Sequence, residues 1–105
     1  MSTTRVMVVD DDNNICEFLR LYLEKEQLEV EICHDGQEAL DKFQKFDPSI
    51  ILLDVMMPKL DGWQVCREIR KVSQTPIIMI VLNSSLILPH HTSIVCSLLH
   101  IEVDV

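Results

Sequence analysis

Three stretches of the chain, Val6 to Val9, Ile50 to Leu53 and Ile77 to Leu82, are unbroken apolar runs. Parallel strands buried on both faces of a sheet have this pattern. Between Glu29 and Cys33 the pattern alternates instead, with Val30 and Ile32 apolar and Glu29 and Glu31 charged, which predicts a strand with one wet face at a sheet edge. Ile15, Phe18, Leu19, Tyr22 and Leu23 follow the spacing of one helix face after the capping residues Asp12 and Asn13, predicting a helix over 13–26. Ala39, Leu40 and Phe43 mark a second helix that ends before Asp47-Pro48, and Val65, Cys66 and Ile69 mark a third that starts near Gly62.

Strand and helix therefore alternate over residues 5–82. Right-handed crossovers between parallel strands then place helices on both faces of an open sheet, so the expected class is doubly wound α/β. With the alternating strand at the edge, the natural strand order is 2-1-3-4, which reverses direction between the first and third strands. Ligands bind at such reversals.

Composition narrows the function classes. A length of 105 residues with 48% hydrophobic and 25% charged residues describes one folded unit rather than a disordered tail. The formal charge of -8 disfavours unaided binding to nucleic acid or anionic lipid. Cys16, Cys33, Cys66 and Cys96 show no CxxC spacing, the opening MSTTRVMVV is too short for a secretory core, and no apolar run approaches a membrane span. A cytoplasmic location is the expectation. The first three cysteines and Trp63 read as packing residues.

The candidate chemistry lies in carboxylates. Asp10, Asp11 and Asp12 follow the first strand and Asp54 follows the third, so a reversal between those strands gathers them at one sheet edge. Clustered carboxylates hold on to protons unless a hard cation neutralises them, and Mg²⁺ takes one or two carboxylates together with phosphate oxygens. A phosphoryl group could then be transferred in line to Asp54. Asp12 by itself reads as a helix cap.

The segments VMVVDDD, ILLDVMMPKLDGWQV and TPIIMI, in this order and spacing, strongly resemble the receiver domain of response regulators, over residues 5–80. The resemblance implies the flavodoxin-like receiver fold and makes Asp54 the phosphoacceptor. It implies Mg²⁺ as the cofactor, with Asp11 a direct ligand, Asp10 a ligand largely through water, and Asp54 and the Met56 carbonyl completing the protein's share of the ligands. Pro58 and Gly62 would shape the following loop. The implied partner is a histidine kinase, in phosphorelay signalling, and the chemistry is at most self-phosphorylation and self-dephosphorylation rather than that of a conventional enzyme.

Beyond Ile80 the family pattern breaks. Val81 and Leu82 stand where receivers place a Thr or Ser followed by a small residue, and no Lys or Arg follows Lys71, although the family pairs a Lys with the phosphoryl group. Residues 81–105 hold three of the four histidines and two acids. The expected organisation is a receiver-like phosphoacceptor unit at 1–80 and a divergent tail at 81–105 that forms no separate domain, as in a truncated or frame-shifted receiver. Phosphorylation and its readout would be impaired, and the dimerisation surface lost. The apolar fourth strand would need cover, which Ile94 to Leu99 could supply.

Three rivals remain at this stage. One is a silent module that binds a kinase through the first helix. Another is a haloacid-dehalogenase-like phosphohydrolase, with Asp10 as nucleophile in an Asp-x-Asp pair with Asp12. Against it, Asn14 stands where that superfamily has Thr or Val. The third is a zinc site built from His90, His91, Cys96 and His100.

Overall fold

The computed structural model describes residues 3–81 and 100–104. Strands β1 (Arg5–Val9), β2 (Glu29–Cys33), β3 (Ile50–Asp54) and β4 (Ile77–Val81) alternate with helices α1 (Asn13–Lys25), α2 (Gly36–Phe46) and α3 (Gly62–Arg70), and β5 (His100–Asp104) follows. The sheet order is β2-β1-β3-β4-β5. The first four strands are parallel, in the expected 2-1-3-4 order, and the reversal falls between β1 and β3. β5 pairs antiparallel with β4, Val81 opposite His100 and Ile77 opposite Asp104. The fourth strand therefore is paired, by His100–Asp104; the expected cover by Ile94 to Leu99 falls outside the described residues.

Strand alternation sends β-residues to two faces. On the α2 and α3 side, Met7, Val9, Ile51, Leu53, Ile77 and Met79 join Ala39, Phe43, Val65 and Ile69 in one core. On the α1 side, Val6 and Val8 pack with Cys16 and with the partly buried Leu19, Leu23, Ile50 and Leu52. Full burial of one aliphatic side chain is worth about 1.5–3 kcal/mol, so the first core carries most of the fold.

The helix ends are set by local chemistry. Asp12 caps α1, accepting from the Asn14 and Ile15 backbone N–H groups. Asp35 caps α2 by accepting from Glu38 N–H. Asp61 and Gln64 form a reciprocal capping box on α3. Each such cap contributes roughly 1 kcal/mol and fixes where the preceding loop must stop.

Helix α1 is rotated relative to the face read from its spacing. Its buried residue is Cys16, with Leu19, Leu23 and Ile15 half-buried, whereas Phe18 and Tyr22 are 45% and 58% exposed. At 100° per residue Phe18 points nearly opposite to Cys16, so the thiol, a small hydrophobe, sets the buried axis and displaces the aromatic rings. Trp63 is likewise exposed, because α3 turns Gly62, Val65, Cys66 and Ile69 inward. Cys33 and Cys66 are buried as expected.

Candidate functional site

The C-terminal ends of β1 and β3 lie side by side, with Val9 in register with Leu53, so the residues that follow them share one rim of the sheet. One ligand oxygen each from Asp10, Asp11 and Asp54 falls within a cluster 4.8 Å across. Asp10 and Asp54 are buried and Asp11 is exposed, which leaves the cluster open to solvent on one side. Among the described residues this is the group of acidic, histidine or cysteine side chains able to hold a metal ion.

Each carboxylate is held by the backbone that follows it. Asp12 N–H donates to Asp10 Oδ1 at 2.8 Å, and Met56 N–H donates to Asp54 Oδ1 at 3.1 Å. These bonds favour the charged forms but are outweighed. Burial, assisted by the Asp54 and Asp11 charges, pushes Asp10 up to about 7. Burial, with the Asp11 charge next among the raising effects, pushes Asp54 up to about 6. Two acids that resist ionisation beside a third are what a divalent cation relieves, and an all-oxygen donor set suits Mg²⁺.

The loop beyond Asp54 is pressed against the site. Gly62 N–H donates to the Val55 carbonyl at 3.1 Å, and a Cβ on Gly62 would meet the Asp54 carbonyl oxygen at 2.3 Å. Only glycine lets the start of α3 approach the acceptor strand so closely, which gives Gly62 a role beyond turn punctuation. Met56 turns its side chain to solvent while Met57 is buried, so any part Met56 plays in a metal site falls to its backbone carbonyl. Pro58 is exposed, and Lys59 holds a left-handed backbone with φ 66°.

Asp12 is engaged as the α1 cap, and this removes the second acid that the phosphohydrolase reading requires. Sequence reasoning did not anticipate the Cys16 thiol, which donates to the Asp10 carbonyl at 3.1 Å and ties α1 to the rim. An apolar-looking Cys six residues beyond the acid carries no signal of that bond. Of the zinc reading, His90, His91 and Cys96 lie outside the described residues.

Residues 6–92 match the family of response regulator receiver domains. The fold is similar to the *Vibrio cholerae* chemotaxis protein CheY4, at 36% identity over 74% of this chain and 68% of that one, with a TM-score of 0.72. A putative response regulator from *Chloroflexus aurantiacus* is 32% identical over 74% of this chain and 66% of that one, TM-score 0.70. The BeF3-activated N-terminal receiver domain of *Klebsiella pneumoniae* RstA is 26% identical over 90% and 79%, TM-score 0.72. The chain belongs to the response regulator receiver family of two-component signalling. Its match extends past Ile80, where the sequence motifs stop, to residue 92. Among the described residues no helix is long and apolar enough to cross a membrane.

Proposed function

We propose that this receiver is a Mg²⁺-dependent phosphoacceptor in which Asp54 takes a phosphoryl group from the phosphohistidine of a histidine kinase. The observation that carries the reading is the meeting of Asp10, Asp11 and Asp54 oxygens within 4.8 Å at the reversal of the sheet. In the transfer an Asp54 carboxylate oxygen forms a bond to phosphorus as the phosphorus–nitrogen bond to imidazole breaks, leaving an acyl phosphate on Asp54. Asp10, Asp11 and Asp54, with the Met56 carbonyl, would hold the ion. When bound, Mg²⁺ offsets the pocket's negative charge and shields the incoming phosphoryl oxygens. The backbone N–H of Met56 fixes one Asp54 oxygen, which leaves the other as the attacking atom.

The phosphoacceptor unit is residues 1–80, with 81–105 an appended tail that completes no domain of its own, and the chain works in the cytoplasm without contacting nucleic acid or membrane. Turnover and switching are impaired. Three ionised carboxylates and a doubly charged ion leave one negative charge, and phosphorylation adds roughly -1.5 to -2 with no lysine beyond Lys71 to offset it. A missing charge-assisted contact of this kind is worth about 1.5–3 kcal/mol. Val81, which offers no side-chain hydroxyl at the end of β4, favours a second reading as a silent kinase-binding module that carries no signal onward.

Incubation with acetyl phosphate and Mg²⁺, followed by intact mass, tests the first reading. A gain of one phosphoryl group that vanishes in Asp54→Asn supports it. No gain in a folded chain, together with no binding of beryllium fluoride, leaves the silent module.

A further inference from the structure

Three carboxylates whose oxygens meet within 4.8 Å repel one another until an ion arrives, so the Asp10–Asp12 turn has to be held by something other than the ion. Hydrogen bonds from three directions do this. Asp10 N–H donates to the Cys33 carbonyl at 3.0 Å, which pins the turn to the end of β2. Within the turn, Asp12 N–H donates to Asp10 Oδ1 at 2.8 Å. From α1, Cys16 reaches back twice: its N–H donates to the Asp12 carbonyl at 3.0 Å and its thiol to the Asp10 carbonyl at 3.1 Å. Asp10, Asp12 and Cys16 thus close a ring around Asp11, whose own carboxylate stays exposed.

We propose that Cys16 is a positioning residue for the acidic rim: its thiol, by holding the Asp10 carbonyl, keeps the turn in the shape that gathers Asp10 and Asp11 beside Asp54 and so preforms the site for a divalent cation. This role rests on the reading of the rim as a Mg²⁺ site. The backbone bond to Asp12 is one that any residue at this place in α1 would make, so the side chain is the part specific to cysteine. Cys16 is 2% exposed and packs with Val6 and Val8, and an apolar residue of like size would fill the same space. The thiol adds a donor that such a residue lacks. Ligands gathered in advance lose less freedom when the ion binds, so the donor should register in affinity for the metal.

Mg²⁺ titration of the full chain, followed on amide chemical shifts, tests this in the parent, Cys16→Ala and Cys16→Ser. Loss of the donor in Cys16→Ala should weaken Mg²⁺ binding about tenfold, and Cys16→Ser, which restores a donor, should recover most of the loss. Hydrogen exchange without metal supplies a second readout, one that a merely structural role would not move. In Cys16→Ala the Asp12 amide should speed up about fivefold more than the amides of the central strand β1, a gap that a uniform loss of stability cannot open. Unchanged Mg²⁺ affinity in Cys16→Ala, or equal losses in the alanine and serine variants, would overturn the proposal. If the Asp12 amide responds while the parent chain itself takes up no Mg²⁺, the pinned turn stands and it is the metal reading that fails.

Discussion

On the side covered by α2 and α3, the row Met7–Ile51–Ile77 runs across three strands with every residue at 0% exposure. On the other side the row Val8–Leu52–Ile78 begins with a sealed residue and ends with two partly exposed ones. Both rows are equally apolar, and the strands are the same. The difference comes from the helices: among the described residues two crossovers lie on the first side and one on the second, so equal hydrophobicity yields unequal burial. The two faces should therefore respond differently to the same truncation, and the acidic rim where they meet should respond to charge instead.

The largest effect is expected on the sealed side. Leu53→Ala should cost roughly 2–5 kcal/mol in chemical denaturation, as for a fully buried leucine whose cavity cannot collapse. A loss below about 1 kcal/mol would remove the contrast between the faces.

Next comes the rim. Asp10 and Asp54 have folded pKa values of about 7 and about 6, raised above their ordinary value. Without a cation, the folded state therefore binds more protons than the unfolded one between about pH 4 and pH 7. That stabilisation is present at low pH and is lost as pH rises through the folded values. Unfolding without Mg²⁺ should show stability falling by on the order of 2 kcal/mol from pH 5 to pH 8. Added Mg²⁺ should restore more stability at pH 8 than at pH 5, because only ionised carboxylates bind it. A flat pH profile would show that the acids are better hydrated than their burial implies.

On the open side Leu52→Ala should cost about 1 kcal/mol, well below its sealed neighbour, because part of the side chain already meets water. A cost equal to that of Leu53→Ala would remove the contrast between the two faces. The smallest change is expected for Leu21→Ala, at 61% exposure on the outer surface of α1, where denaturation should shift by no more than about 0.5 kcal/mol.

Much of this was legible in the chain. Unbroken apolar runs gave β1, β3 and β4 to within a residue or two, because a strand buried on both faces leaves no polar position to confuse the reading. The alternating Glu29–Cys33 placed β2 at the edge, and the order 2-1-3-4 followed from that edge position. The rim was legible for the same reason: residues next after two adjacent parallel strands must come together, so Asp10, Asp11 and Asp54 were candidates before any coordinate was known. Asp12 was readable as a cap from its place before the helix.

Other features depend on how elements meet and leave no local mark. The spacing of Ile15, Phe18, Leu19, Tyr22 and Leu23 fits a helix but not its rotation, which Cys16 sets by packing inward and donating to the Asp10 carbonyl. Gly62 looks like a turn residue until the Asp54 carbonyl is found where its Cβ would be. The pairing of His100–Asp104 with β4 joins segments far apart along the chain, with a register that no short pattern specifies. Periodicity and chain order set what a residue can do within its own element. Burial, proton affinity and close approach arise between elements, and so they exist only once those elements are packed.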